Sequence, residues 1–203
     1  MQTFAEAMNE NYVGRGEKGI RERKIRPLDV KKVIARRAAI GAQKRMPIVN
    51  YGIGIPEIIA QVADEENVTQ ELIATVEPGA IGGSPAGGLS FGASAFPEAI
   101  ITQDQMFDFY DGGGLDQAFS GPGGNRCQRR SQCIKVWREK LLAAAASSIL
   151  PRTLSMSFFC GSFTAGDSDI IVEEGKIIIR RDGQIKKFIK HVQQITFFIR
   201  YGP

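Results

Sequence analysis

The chain has 203 residues and a mass of 22.2 kDa, room for one large domain or two small ones with a sizeable core. At 43% hydrophobic and 24% charged residues it has a globular composition. No apolar run reaches the ~18 residues of a membrane helix, Met1 to Asn11 lacks the apolar core of a signal peptide, and three cysteines are too few for a disulfide scaffold. The expectation is a soluble cytoplasmic protein with no membrane partner.

The net charge of +4 and a pI near 9.0 raise nucleic acid as a partner. The charge is localised. Between Ser120 and Phe159 stand seven basic residues (Arg126, Arg129, Arg130, Lys135, Arg138, Lys140, Arg152) and one acid, Glu139, a net +6. The other residues carry 19 basic and 21 acidic groups, or −2. One forty-residue block makes the protein basic, and it also holds Trp137, Cys127 and Cys133.

In chain order, residues 1–26 are polar and weakly patterned, as in a linker or a poorly ordered end. Pro27-Leu28-Asp29 opens a helix, with Asp29 as cap and Val33, Ile34, Arg37 and Ala38 at helical spacing. Ile48-Val49-Asn50-Tyr51 is a short strand leading into Gly52-Ile53-Gly54-Ile55-Pro56. A second helix runs from about Pro56 to Glu66. Glu71 to Val76 reads as a buried strand that Glu77-Pro78-Gly79 terminates. Strand, helix, strand with short connections is the pattern of an open, mostly parallel α/β sheet flanked by helices.

Six glycines (Gly79, Gly82, Gly83, Gly87, Gly88, Gly92) follow at close spacing. Ile100-Ile101 and Phe107 to Tyr110 look like further strands, and Lys135 to Ser148 has the composition of a helix. Asp169 to Val172 and Lys176 to Arg180 flank Glu173-Glu174-Gly175, a hairpin signal. Phe188 to Phe198 fits strand or helix.

Several chemistries find little support. Gly52-Ile53-Gly54 lacks the third glycine of a dinucleotide fingerprint, and Gly82-Gly83 has no Gly-Lys-Ser/Thr after it. The glycines equally suit tight turns and close backbone packing. His191 is the single histidine and reads as a surface or packed residue. Cys127 and Cys133 have no partners at zinc spacing, so no metal and no bound cofactor are expected. Glu77 stands out. It follows Ile73 to Val76 at the carboxyl end of a buried strand, where open α/β sheets place ligands, and a partly desolvated carboxylate there suits covalent nucleophilic chemistry. A structural acid is the plainer reading of such a residue.

The run from Thr75-Val76-Glu77-Pro78-Gly79-Ala80-Ile81-Gly82-Gly83 through Gly87-Gly88-Leu89-Ser90-Phe91-Gly92 resembles the catalytic stretch of the family I CoA-transferases, of the acetate/propionate type. Asn50-Tyr51-Gly52-Ile53-Gly54-Ile55-Pro56-Glu57, Pro97-Glu98-Ala99-Ile100-Ile101, Phe107 to Asp116, Cys160 to Gly166 and Ile185 to Phe197 continue the resemblance. It covers roughly 27–119 and 160–197. It implies a CoA-transferase-like domain over 27–203, matching most of the second of the two halves of such an enzyme, with an anomalous segment at 120–159.

It further implies short-chain acyl-CoA:carboxylate CoA transfer, with acyl-CoA and short-chain carboxylic acids as substrates and Glu77 as nucleophile. Gly52, Ile53, Gly54, Gly79, Gly82 and Gly83 would line the substrate, with backbone N–H groups near Gly52 and Gly54 meeting oxyanions. Assembly as a homo-oligomer or with a complementary N-terminal half goes with the same resemblance. The alternative is an inactive remnant that at most binds CoA.

The block at 120–159 has no counterpart in the family pattern, yet its length suits that place. Gln132 to Arg138, written CAA TGT ATC AAA GTT TGG CGN, yields Asn-Val-Ser-Lys-Phe-Gly one base later, a family tract. Gly123 to Gln128 hides Ala-Glu-Ile-Asp-Ala in the same frame. From a third base, Ala143 to Ser148 hides Cys-Gly-Gly-Phe-Ile, and Pro151 to Ser155, with the last base of the Leu150 codon, hides Ser-Gln-Asn-Ala-Lys. Four fits in the expected order predict two frame changes inside the block and a return to frame near Phe158. A solvated basic loop or a nucleic-acid patch are the competing readings, and nucleic acid is not the favoured partner.

Overall fold

Burial along Ile48–Tyr51, the first strand (β1), shows how the chain is layered: Val49 and Tyr51 face one helical layer, Ile48 and Asn50 the other. The computed structural model describes residues 9–15, 25–42, 47–68, 72–121, 124–126, 130–132, 135–137, 140–141, 156–187 and 197–198. Helix α1 (Val30–Ala42) starts behind Asp29, whose Oδ1 accepts from the Lys32 amide at 2.7 Å. Helix α2 (Ile55–Glu65) follows β1, with Pro56 in its first turn, where the missing N–H costs nothing. Strand β2 (Ile73–Thr75) then returns parallel to β1, pairing Ile48 with Ile73 and Asn50 with Thr75.

After β2 the chain makes four short strands: β3 (Ala80–Ile81), β4 (Ser84–Pro85), β5 (Ser94–Ala95) and β6 (Ala99–Ile100). Helix α3 (Gln103–Phe109) runs into a π-type turn at Tyr110–Gly114, and β7 (Gln117–Ser120) re-enters the sheet. Beyond it lie β8 (Gly124–Arg126), β9 (Arg130–Gln132), β10 (Lys135–Trp137), β11 (Lys140–Leu141) and β12 (Met156–Phe159). The last are β13 (Thr164–Ala165), β14 (Asp169–Glu173), β15 (Lys176–Arg181), β16 (Ile185–Lys186) and β17 (Phe197–Phe198).

The main sheet has six strands in the order β12-β7-β1-β2-β3-β6. The first four are mutually parallel, β3 runs against them, and the edge strand β6, antiparallel to β3, runs with them again. The expected mostly parallel sheet thus carries one reversed strand next to its edge. Ala35, Ala38 and Ala39 of α1 and Ile58, Ile59 and Val62 of α2 pack with Val49, Tyr51, Ala74 and Phe119 on one face. Met106 and Tyr110 close the opposite face over Ala118. Ion pairs Lys32–Glu65 and Arg36–Glu66 tie α1 to the end of α2. Among the described residues no helix is long and apolar enough to cross a membrane.

Three expectations change. Phe107 to Tyr110 is helix and turn rather than strand: Gln105 accepts from the Thr102 amide at 3.1 Å, a helix-start bond, and Met106 and Tyr110 fall four apart on the buried side. Lys135–Trp137 and Lys140–Leu141 form an antiparallel pair instead of the start of a helix. The expected N-terminal linker contributes a 3-10 turn at Glu10–Val13, and Asn11 accepts from the Phe96 amide at 2.9 Å. The hairpin of β14 and β15 stands as expected, with Ile177, Ile178 and Ile179 exposed. Cys127, Arg129, Cys133, Arg138, Arg152 and His191 lie outside the described residues, as do most of 188–198 and the side chains of Arg126, Arg130, Lys135, Trp137 and Lys140. The metal and nucleic-acid expectations attached to them lie there too.

Candidate active site

Glu77 sits at the tip of the reversal between β2 and β3. The Gly79 amide donates to Val76 O at 2.9 Å, closing the turn, and the Val76 amide donates to Ala80 O at 3.0 Å below it. Gly79 has φ +122°, and a side chain there would collide with the Ile101 carbonyl, so only glycine fits. Pro78 is held on its other side by Gly92, where a Cβ would stand 2.9 Å from the proline ring. The turn is thus wedged between β6 and the excursion of β4 and β5.

The Glu77 side chain is half-buried, and that partial burial raises its pKa above the ordinary glutamate value. Among the described residues no cation and no hydrogen-bond donor offsets that burial. A carboxylate in this condition is a stronger nucleophile than one fully hydrated.

Directly beneath, Asn50 and Thr75 are register partners on β1 and β2, both 1% exposed. Asn50 Nδ2 donates to Tyr110 Oη at 3.2 Å, Tyr110 Oη donates to Thr75 Oγ1 at 2.9 Å, and Thr75 Oγ1 donates to Val49 O at 2.8 Å. Burial raises the Tyr110 pKa, the bonds with Thr75 and Asn50 oppose this, and the charge of Glu77 reinforces it. None of these three residues stood out in the sequence. For Asn50 and Thr75 the available signal was polarity inside strands otherwise buried on both faces; Tyr110, in the turn after α3, gave none.

The predicted glycines divide. Gly52 donates to Phe119 O at 2.8 Å, and Gly82 donates to Ala74 O at 2.7 Å. With the Gly79 bond, three amides of the predicted set are committed to the sheet and its turn, which corrects the expectation that the Gly52 N–H meets an oxyanion. Ile53 and Gly54 lie exposed at the N-terminus of α2, and no hydrogen bond occupies their amides among the described residues. Gly83 is bracketed by the carbonyls of Ala95 and Phe96, a packing reason for glycine. Glu57 in the first turn of α2 accepts from the Gly88 amide at 3.4 Å, joining the excursion to the same end of the sheet.

Cys160, after β12, is buried, and burial lifts its thiol pKa to about 11, which leaves it a packed, unreactive thiol. An open apolar groove of about 520 Å³ beside it is lined by Val33, Ile34, Arg37, Phe158 and Gly161 and includes no predicted site residue. No cluster of three metal-ligating side chains occurs among the described residues.

Comparison with known proteins settles the ancestry. Over 171 residues, 84% of this chain, it is 35% identical to an acetate CoA-transferase, YdiF, of Escherichia coli K12. Over 183 residues, 88% of the chain, it is 36% identical to a caffeate CoA-transferase of Acetobacterium woodii. The chain is homologous to the family I CoA-transferases. It spans about a third of the length of these relatives, 32% of the first and 34% of the second. The acyl-CoA transferase YdiF apoenzyme of Escherichia coli O157:H7 superposes with a TM-score of 0.77 at 33% identity, over 86% of this chain and 32% of that one. The same enzyme solved as a thioester complex with CoA gives 0.75 at 31% identity over the same shares. No family model matches the chain.

Proposed function

We propose that the chain carries the nucleophile-bearing part of a short-chain acyl-CoA:carboxylate CoA-transferase of the acetate/propionate type, with Glu77 as the nucleophile. The observation that carries this reading is the placement of Glu77: a half-buried, unpaired carboxylate at the carboxyl end of the parallel strands, held in a turn that only glycine at position 79 allows. Homology to CoA-transferases, one of them known as a CoA thioester complex, supports it.

In the proposed cycle the Glu77 carboxylate attacks the acyl-CoA carbonyl, forming an acyl-glutamyl anhydride and releasing CoA thiolate. The thiolate attacks the glutamyl carbonyl of that anhydride, giving a glutamyl-CoA thioester and the free carboxylate of the donor acid. A second carboxylate attacks the thioester and the two steps run backwards, delivering a new acyl-CoA. Each carbonyl addition builds an oxyanion, and the open amides of Ile53 and Gly54 are donors at the right end of the sheet. On this reading bound substrate completes the partial burial of Glu77 and limits access of water, which would hydrolyse the thioester.

Full turnover on this reading also uses a complementary half, supplied by another polypeptide or a second copy. The test is incubation with propionyl-CoA followed by intact-mass and peptide-mass measurement. A CoA adduct on Glu77, converted by hydroxylamine or removed by borohydride, is the expected result. Absence of any adduct on the isolated chain, with Glu77 intact and the protein folded, would favour a non-catalytic remnant instead.

A further inference from the structure

We propose that Asn50, Tyr110 and Thr75 are positioning residues for Glu77, forming one hydrogen-bonded loop that fixes the end of β2 and so the direction of the carboxylate; this rests on the reading of Glu77 as nucleophile. The loop begins and ends on β1. Asn50 donates to Tyr110, Tyr110 to Thr75, and Thr75 to the carbonyl of Val49, each hydroxyl both accepting and donating where the chain needs it. Bonds in such a series polarise one another, and removing one link leaves buried polar atoms without partners.

The loop joins three elements that have no covalent reason to stay in register: β1, β2 and the turn after α3. Thr75 is the last residue of β2 and stands two before Glu77, so fixing its side chain fixes the root of the turn that carries the carboxylate. Tyr110, wholly buried, lies close enough for its phenol to feel the Glu77 charge. Of the other carboxylates on flanking elements, Glu57 accepts from the Gly88 amide, Glu98 lies against Gly82, Asp116 accepts from the Ile48 amide, and Asp104, Asp108 and Asp111 of α3 and its turn are exposed. A hydrophobic packing role alone would be met by Phe at 110 and Val at 75. The polar choice at all three positions therefore serves placement rather than burial.

The experiment follows the Glu77 side-chain carboxyl by carbon NMR in chain labelled at glutamate Cδ, with the signal assigned by its loss in Glu77→Gln. Titration is compared in the native protein, Tyr110→Phe, Thr75→Val and Thr75→Ser. In Tyr110→Phe and Thr75→Val, both near-isosteric, the Glu77 midpoint is expected to fall toward the ordinary glutamate value as the carboxyl swings into water, while amide signals away from the site stay in place. Thr75→Ser, which keeps the hydroxyl, retains the native midpoint. An unmoved midpoint in either folded near-isosteric variant overturns the inference.

The same proteins are then mixed with propionyl-CoA. Adduct formation at Glu77 is expected to slow about tenfold or more in the two variants, with the dissociation constant for propionyl-CoA unchanged. If the native protein forms no adduct yet the midpoints move, the nucleophile reading fails and the positioning of the carboxyl stands. Equal adduct rates in all four proteins overturn it.

Discussion

Ile101 donates its backbone N–H to the Gly79 carbonyl at 3.0 Å, and its own carbonyl oxygen fills the space where a side chain of residue 79 would stand. The glycine of the Glu-Pro-Gly turn is thus required by the neighbouring chain as well as by its φ of +122°. Gly79→Ala is expected to cost about 3 kcal/mol or more, because strain and overlap add. Gly54→Ala is the control: φ is +92° there, but nothing lies within 4 Å of the added carbon, so about 1–2 kcal/mol is expected. Urea unfolding of both variants measures the difference.

Burial raises the pKa of Glu77, so the folded chain holds that proton to a higher pH than the unfolded chain does. Between the two pKa values the native state binds more protons, and stability falls as pH rises through that window. Glu77→Gln removes the effect. The variant is expected to match the native protein below the unfolded glutamate pKa and to be the more stable of the two at neutral pH, by thermal unfolding across pH 3.5 to 8. The rate of adduct formation should show an acid limb displaced above the ordinary glutamate range, and the variant should form no adduct.

Phe119 is fully buried between two rings, stacked on Tyr51 at 5.6 Å and on Phe158 at 4.8 Å between centroids. The stack crosses three parallel strands and fixes β12 against β7 and β1. Phe119→Ala is expected to cost about 3–5 kcal/mol and Phe119→Leu roughly 1–2 kcal/mol. Near-ultraviolet circular dichroism and urea midpoints report both.

Nucleotide sequencing across the codons for residues 115–166, from independent template, is expected to show the family tracts Asn-Val-Ser-Lys-Phe-Gly and Gly-Cys-Gly-Gly-Phe in shifted frames. A synthetic gene that restores one frame between 120 and 158 is then expected to raise the Glu77 adduct yield. Unchanged yield would separate the block from the chemistry.

The β1-α2-β2 unit was legible because apolar runs, proline and glycine agree there at every level, and the strand-end position of Glu77 was legible because a turn signal follows a buried strand. Helix α3 was not. Phe107 to Tyr110 is dense in aromatics, which favour strands, and its helical start depends on Gln105 reaching back to the Thr102 amide. The reversed strand β3 and the edge strand β6 are two residues long, too short to leave a period. The loop of Asn50, Tyr110 and Thr75 was invisible for another reason. Its members are 25 and 35 residues apart along the chain, counting from 50 to 75 and from 75 to 110, and only the packing of α3 on the sheet brings them together. The engagement of the Gly52 amide by Phe119 is equally a product of that sheet and not of the turn in which Gly52 sits.

Strands β7 and β12 are direct neighbours in the main sheet, yet residues 121–155 separate them in sequence. Chain entropy for closing such a connection grows only with the logarithm of its length, about 0.6 kcal/mol for each doubling. Joining the two strands therefore depends on where the connection starts and stops far more than on what it spells. A frame change that starts within that interval and ends near Phe158 alters the message as far as the start of β12, and β12 still pairs with β7. The scaffold that presents Glu77 is in this sense indifferent to the text most able to silence it.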